Sequence, residues 1–372
     1  MIKSVKIRLK PTPEQEVLMK KSIGVQRFAY NWGLAKWNEL YENGEKPSKV
    51  KVRTEFNQYK KQFDWIGEVS QKVTAQAFED LDVAFKNFFK GTAKRPKFKS
   101  KRKSKQSFYV RYDTLKIKGG TVNLEKIGRV KFKTNYDIPI LYKYVNPRCS
   151  FDGKYWYLTF GYEHSENQTE LKDISVGIDL GLKDLAITNI KELNARNINK
   201  TKTVKILEKK LKRLQRQCSR KYELNKQGQK FIKTQNIIKL ERKIKKLQRR
   251  LNNIRQNHIH QTTNKIVKFK PYRVVMEDLN VSGMMKNKHL AKAIQEQKFF
   301  EFKRQMEYKC QFNGIEFVLA DRFYPSSKMC SGCGSIKHNL KLKDRTYVCD
   351  SCGLVIDRDY NASLNLANYL LV

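Results

Sequence analysis

The stretch "MCSGCGSIKHNLKLKDRTYVCDSCGLVIDRDYNASLNLA", residues 329–367, joins a cysteine array directly to an acidic run. Its cysteines, Cys330, Cys333, Cys349 and Cys352, form two Cys-x2-Cys pairs that are separated by 15 residues. Four thiolates complete a tetrahedral shell, whereas a catalytic zinc ion keeps one position open for water or substrate. The spacing therefore predicts one structural Zn²⁺ ion, and two disulfides are the alternative.

The composition favours a folded protein whose partner is a polyanion. The chain has 372 residues, of which 40% are hydrophobic, enough for two or three domains with their own cores. Its net charge is +42, and the cations are spread over several segments. Interleaved aromatics, 20 Phe, 18 Tyr and 4 Trp, argue against a disordered basic tail. A long phosphate backbone is the partner that this charge predicts.

We expect no membrane partner and a reducing, cytoplasmic location. The opening "MIKSVKIRLK" alternates cations with apolar residues and lacks a signal-peptide core. A run of about 18 apolar residues, which a membrane helix needs, is absent from the sequence. Outside the array, Cys149, Cys218 and Cys310 stand singly. This usage is typical of reduced proteins and favours zinc over disulfides.

Three acids occupy unusual places in the second half of the chain. Asp179 interrupts the apolar strand pattern "DISVGIDLGLKDLAITN", where a carboxylate is costly unless a cation meets it. Glu277 ends a second such pattern, "YRVVMEDLNVSG", and Asp359 begins the last helical segment. Acids from distant segments are what a site with two Mg²⁺ ions for phosphodiester hydrolysis requires. Individually, each acid also fits an ordinary strand-end residue.

A basic helical hairpin is predicted over about residues 201–262, with "NKQGQ" as its turn. Apolar residues recur there at intervals of three and four. Residues 201–260 carry 20 Lys and Arg against 3 acidic residues. A coiled-coil dimer is the alternative, but this density of like charge opposes self-association, so an intramolecular hairpin that presents cations to nucleic acid is favoured.

The first half reads as a small β domain with a helical insertion. Residues 2–9 alternate like a strand, residues 14–92 show helical spacing, and residues 115–162 hold short alternating segments between Gly-Gly, Asn-Pro and Asp-Gly turns. We expect an antiparallel barrel or meander into which the first strand pairs. The basic connector that starts at residue 92, "TAKRPKFKSKRKSKQSFYVRY", mixes cations with rings, which favours nucleic-acid contact over a solvated linker.

The order of these motifs resembles TnpB, the family of RNA-guided nucleases encoded by bacterial insertion sequences and related to compact type V CRISPR effectors. The resemblance is carried by "GIDLGLKDLA", the basic hairpin, "VVMEDLNVSGM", "DRFYPSSKMCSGCG" and "CDSCGLVIDRDYNASLNLA". It extends to the other half through "IRLKPTPEQE", "AFKNFFKG" and "KRPKFKSKRKSKQSF".

The resemblance implies an α/β plus all-β fold. A RuvC nuclease domain of RNase H-like fold contains an inserted zinc finger and follows an antiparallel β-barrel wedge domain, which carries an inserted helical recognition lobe. The expected bounds are 1–13 for the first wedge strand, 14–92 for the recognition lobe, 93–170 for the wedge barrel, 171–328 for RuvC, 329–354 for the zinc finger and 355–372 for the RuvC C-terminal part.

The resemblance also implies the activity. Asp179, Glu277 and Asp359 would be the catalytic acids and hold two Mg²⁺ ions, for which Mn²⁺ substitutes. Asp359 matches the family's catalytic position in "DRDYNA", and Asp357 is the weaker candidate. The implied enzyme is an RNA-guided DNA endonuclease that cuts beside a short transposon-associated motif. Its partners would be a guide RNA derived from the transposon end and double-stranded target DNA, with a monomer binding one RNA.

Six residues are candidate nucleic-acid contacts. Lys72 and Gln76 lie one turn apart on a segment that resembles the family's motif-reading helix, although an ordinary solvent-facing position also fits them. The other four come from the basic connector and from the segment before the zinc finger: Lys97, Lys99, Arg102 and Arg322.

Two other functions remain open at this point, a guide-dependent DNA-binding repressor without cleavage and a DNA transposase. In this family, relatives that no longer cut lose one or more of the three acids, and all three are present here. The intact trio favours the cleaving enzyme over the repressor.

Overall fold

The computed structural model describes residues 1–134, 138, 144–164, 170–341 and 344–369. Contacts divide the chain into two compact units, Met1–His164 and Ser165–Val372. Among the described residues, no helix is both long enough and apolar enough to cross a bilayer.

The first unit contains seven strands and four helices within its described residues. The strands are β1 (Ile2–Lys10), β2 (Ser107–Tyr109), β3 (Lys116–Lys118), β4 (Thr121–Leu124), β5 (Gly128–Lys133), β6 (Val145–Phe151) and β7 (Trp156–Glu163). The helices are α1 (Pro13–Glu42), α2 (Lys49–Tyr59), α3 (Asp64–Gly67) and α4 (Gln71–Phe89), with a 3-10 turn at Lys60–Gln62.

The strands of this unit form one antiparallel sheet in the order β2-β6-β7-β1-β5-β4-β3. The prediction that the first strand pairs with the later ones is confirmed, because β1 lies between β7 and β5. Val5, Ile7 and Leu9 are buried, and the cations between them point to the other face, as the alternation in sequence requires.

The four helices are inserted between β1 and β2, as predicted. Thr12 begins α1 through a capping box with Gln15, and Pro13 occupies the first turn, where a missing N–H costs nothing. Helix α4 packs against α1, and the rings of Trp37 and Phe85 stack with centroids 4.5 Å apart. The helical block therefore shares the apolar core of the sheet.

The second unit contains a sheet with helices and a small cysteine-rich element. The described strands are β8 (Lys172–Leu180), β9 (Asp184–Thr188), β10 (Ala195–Arg196), β11 (Lys226–Gln227), β12 (Lys230–Phe231), β13 (Pro271–Glu277), β14 (Glu316–Ala320), β15 (Thr346–Val348) and β16 (Val355–Asp357). The helices are α5 (Lys202–Leu224), α6 (Gln235–Lys268), α7 (Val281–Met284), α8 (Ala291–Gln297), α9 (Phe299–Phe312) and α10 (Arg358–Ala367), with 3-10 turns at Lys191–Leu193 and Ile198–Lys200.

The main sheet of the second unit has the order β10-β9-β8-β13-β14. Strands β8, β13 and β14 are parallel, whereas β9 is antiparallel to β8. Both faces of the parallel part are covered, which explains why these strands are so apolar in sequence. On one face, Val274 and Met276 belong to a core that includes Ile259 of α6 and Phe302 of α9.

Helix α10 covers the opposite face at one glycine. A Cβ atom at Gly177 would lie 2.1 Å from the Ser363 carbonyl oxygen and 2.4 Å from the Ala367 nitrogen. Because both are backbone atoms of α10, they cannot rotate away. Leu366 of α10 then packs on Val275 of β13.

Helices α5 and α6 form the predicted intramolecular hairpin. Val204 and Leu207 of α5 form a small buried cluster with Leu247 and Leu251 of α6. Helix α6 runs to Lys268, six residues beyond the predicted end near residue 262.

Adding a methyl group at Gly177 should displace α10. We expect Gly177→Ala to destabilise the second unit by about 1–3 kcal/mol, the usual cost of overpacking. Hydrogen exchange should show faster exchange of the amides of residues 358–367. Gly24→Ala is the matched control, because no atom lies within 4 Å of a Cβ placed there. Parental exchange in Gly177→Ala would contradict the close packing.

Candidate functional site

Asp179 and Glu277 lie on neighbouring parallel strands at the same edge of the sheet. The register of β13 and β8 pairs Val275 with Gly177 and Met276 with Ile178, so the next positions bring the two acids side by side. Side chains two residues apart on a strand share a face. Both acids therefore point to the face that α10 covers at Gly177.

Asp359 reaches this edge from the first turn of α10. The pKa of the Asp179 carboxyl is raised well above its usual range, by burial first and then by the negative charges of Glu277 and Asp359. The nearby Arg358 offsets part of this effect. The structure thus brings the three predicted acids into one electrostatic cluster. Oxygen ligands of this kind fit a hard divalent cation such as Mg²⁺.

Hydrogen bonds hold two of these acids in place. Ser326, a buried residue, donates its hydroxyl to Glu277 Oε1. Arg358 donates to Asp359 Oδ1 from Nη2 at 2.9 Å, and Arg345 Nη1 lies 3.6 Å from Asp359 Oδ2. These partners leave each carboxylate with further lone pairs for a metal ion.

Asp357 has a different role from Asp359. Its carboxylate accepts hydrogen bonds from the backbone nitrogens of Asp359 and Tyr360, both at 3.0 Å. It is therefore the N-cap of α10, where an acid also interacts favourably with the helix dipole. This cap accounts for an acid two residues before Asp359, and its charge is the last of the contributions that raise the pKa of Asp179.

The four cysteines of the array converge on one point. The Sγ atoms of Cys330 and Cys352 are 3.6 Å apart, as are those of Cys333 and Cys349, and all four ligand atoms lie within 4.8 Å of one another. A disulfide needs about 2.05 Å, whereas zinc–sulfur bonds of about 2.3 Å in a tetrahedron separate the sulfurs by roughly 3.8 Å. The donor set and its spacing fit Zn²⁺.

Two buried asparagines of α10 tie the cysteine-rich element to the acid site. Asn361 accepts from the Ser331 nitrogen at 3.0 Å and donates to the Met329 carbonyl at 2.7 Å. Asn365 donates to the carbonyls of Ser326 and Met329, both at 2.7 Å. The backbone that leads into the first Cys-x2-Cys pair is thus bonded to the helix that carries Asp359.

The six candidate nucleic-acid contacts lie in varied surroundings. Lys72, Lys97 and Arg102 are exposed. Gln76 donates to Asp80 Oδ1 at 3.1 Å, within a network in which Arg148 binds Asp80 through two hydrogen bonds.

The remaining two candidates have partners of their own. Lys99 lies over the Tyr30 ring, 3.5 Å from its centroid, and burial lowers its pKa. Arg322 donates to Asp278 at 2.7 Å. Their roles toward nucleic acid stay predictions.

Several residues of the site were not predicted from the sequence. Ser326, Asn361 and Asn365 carry no local signal, because their importance comes from partners about 30 to 50 positions away. Asp278, which pairs with Lys303 at 2.9 Å, directly follows Glu277 in sequence and has no local signal of its own.

Three family models match separate parts of the chain. They are a "Helix-turn-helix domain" model of the OrfB_IS605 group at residues 1–46, a "Probable transposase" model, OrfB_IS605, at residues 159–288, and a "Cas12f1-like, TNB domain" model at residues 299–366. These follow one another in the order in which the motifs occur. These matches agree with the resemblance of the motif order to the TnpB (OrfB) family.

Two curated relatives match along nearly all of the chain. A Streptomyces pristinaespiralis protein provisionally named as an RNA-guided DNA endonuclease is 29% identical over 98% of this chain and 88% of its own length. InsQ of Escherichia coli (strain K12), with the same provisional name, is 28% identical over 98% of this chain and 91% of its own.

A solved structure shares the fold of this chain. The protein in a Cas12f1–sgRNA–target DNA complex matches with a TM-score of 0.60 and 13% identity, over 99% of both chains. At this identity the likeness shows the fold alone.

The purified protein should contain about one zinc ion per chain, because metal binding at such sites contributes directly to folding free energy. Cys330→Ser or Cys349→Ser should reduce the zinc content to a small fraction of one and lower the melting temperature, as measured by elemental analysis and calorimetry. Cys218→Ala, at a buried cysteine outside the array, should keep its zinc. A parent protein without zinc would overturn the assignment.

Proposed function

We propose that this chain is an RNA-guided DNA endonuclease that cuts target DNA next to a short transposon-associated motif by divalent-metal phosphodiester hydrolysis. One observation carries the proposal. Asp179, Glu277 and Asp359 come from three separate elements to one edge of a parallel sheet, in a chain whose family relatives are provisionally named RNA-guided DNA endonucleases.

The three acids would hold two Mg²⁺ ions, with Mn²⁺ as a substitute. Bound there, the ions would activate water and stabilise the leaving oxygen of the phosphodiester. The chain's own residues orient the ligands: Ser326 fixes Glu277, and Arg358 restrains Asp359. In this proposal the second unit is a RuvC-type nuclease, with catalytic acids supplied by β8, β13 and α10.

The cysteine array would hold one structural Zn²⁺ ion. Its contribution would be mechanical, because Asn361 and Asn365 bond the knuckle backbone to α10. Exposed cations between the two cysteine pairs, such as Lys341 and Arg345, are suited to contact nucleic acid near the cut. Lys343, which lies between the same two cysteine pairs, is outside the described residues.

Residues 1–13 and 93–170 would form a wedge domain. The recognition lobe, residues 14–92, would be inserted into it. Lys72 and Gln76 of α4 would read the entry motif, since lysine donates to guanine or thymine acceptors and glutamine bonds adenine. Lys97, Lys99, Arg102 and Arg322 would contact backbone phosphates. The guide RNA and its duplex with DNA would neutralise much of the +42 charge.

Guide dependence is the central test of this function. We expect RNA-free protein with Mg²⁺ to leave a plasmid target intact, a scrambled guide to do the same, and the cognate guide to produce site-specific cuts, because base pairing supplies the sequence specificity. Gel analysis of the three reactions measures this. Equal site-specific cutting in all three would instead place the chain among ordinary nucleases or transposases.

Removing any one of the three acids should abolish cutting while guide and target binding persist, because each substitution removes a metal ligand from a site remote from the paired duplex. The variants are Asp179→Ala, Glu277→Ala and Asp359→Ala. Cleavage rates and filter binding separate the two effects. Asp357→Asn is the matched control, because asparagine keeps the helix cap and should retain activity. Full-rate cutting by any of the three would exclude that residue from the site, and binding without cutting by the parent would favour the repressor.

A further inference from the structure

A cavity at the carboxyl edge of β8 and β13 shares Glu277 with the acid cluster. Its volume is about 290 Å³, and Glu277 forms part of its wall. This volume is near the lower end of the range for small-ligand pockets, about 300–1,000 Å³. The lining is mainly apolar, from Leu180, Met276, Leu279, Val281 and Phe299. Such a space fits one flat ring system.

An exposed phenyl ring stands at the rim of this cavity. Phe300, on the first turn of α9, is 67% exposed, whereas the neighbouring Phe299 is 2% exposed. Phe299 is already part of the core, so packing explains one ring and leaves the other unexplained. Single-stranded nucleic acids use such rings as stacking platforms, because every base has a π face.

Two cations stand at the same rim, fixed by one carboxylate. Asp278 accepts from Lys303 Nζ at 2.9 Å and from Arg322 Nη2 at 2.7 Å. One carboxylate therefore holds both cations at the rim. The trio keeps one net positive charge, which suits a phosphate.

We propose that this cavity receives one nucleobase of the DNA strand being cut, stacked on Phe300, with a neighbouring phosphate against Lys303 and Arg322. The inference rests on the proposed function, because Glu277 belongs both to the acid cluster and to the cavity wall. A nucleotide has a flat apolar ring next to an anionic phosphate. The site has an apolar cavity next to two cations, so it matches both parts. Phe300 would thereby set the register of the strand, and Asp278 is a positioning residue for the two cations.

Photocrosslinking tests the contact directly. The full chain in Ca²⁺ is mixed with a series of single-stranded oligonucleotides, each of which carries one 5-iododeoxyuridine at a different position. The reaction is run first without RNA and then with guide and target. We expect crosslinks that mass spectrometry maps to residue 300, at one or two adjacent positions beside the cut in the guided complex. Phe300→Tyr should keep the crosslink, and Phe300→Leu should lose it.

Cleavage provides a second measurement. In Mg²⁺, an abasic nucleotide at the crosslinking position of the strand that does not pair with the guide should slow the parent about 5- to 150-fold, the range that loss of one stacked base predicts. Phe300→Leu should slow cutting of the intact target by a similar factor. The abasic site should slow this variant no further, because both changes remove the same contact.

A control residue lies on β13, at the end of that strand opposite Glu277. Tyr272 is 39% exposed at the start of β13, so Tyr272→Ala should crosslink and cut like the parent. Melting temperatures of all variants should match that of the parent, because both rings are exposed.

Crosslinks that map elsewhere, or additive effects of Phe300→Leu and the abasic site, would overturn the cavity assignment. A parent that crosslinks at residue 300 but never cuts with a matched guide would contradict the proposed function and leave the cavity assignment supported.

Discussion

The missing side chain at Gly177 is the constraint on which the acid site depends. Backbone atoms of α10 lie where a Cβ atom would be, so the helix rests directly on β8. Sheet and helix can approach this closely only where one of them has no side chain. The contact places the first turn of α10 over the carboxyl edge of the sheet, where Asp179 and Glu277 end their strands. The three carboxylates can meet because Gly177 has no side chain that would hold α10 away from the sheet.

The cysteine-rich element constrains α10 from a second side. Asn361 and Asn365 occupy buried positions on α10 and bond to the backbone at Met329 and Ser331. A zinc ion in the array would make that backbone rigid, and the asparagines would pass the rigidity to the helix. Helix α10 is thus held by packing on the sheet side and by hydrogen bonds on the side of the cysteine-rich element. One short segment of chain would thus supply all four zinc ligands and one of the three acids for the catalytic ions.

Sequence patterns predicted the local features of this site and missed those that depend on tertiary partners. The cysteine spacing and the acids in apolar strands are visible within a few residues, so Cys330 and Asp179 could be found from the sequence. Ser326 and Asn365 could not, because serine and asparagine are common in loops and helices for other reasons. Helix α6 continues past its predicted end because its apolar residues change partner. Ile254 packs near α5, whereas Ile259 and Ile266, further along the helix, pack on the sheet.

The central position of β1 sets an order of events during synthesis. Leu9 pairs with Trp156, and Ile2 with Glu163, so about 150 residues separate the partners. At about 5–20 residues per second, a ribosome needs roughly 8–30 s to deliver β7. Throughout that interval β1 has at least one unpaired edge, open to pairing with another nascent chain. The cations that alternate with its apolar residues act as gatekeepers against such pairing. Its charge pattern protects the strand until the sheet that needs it exists.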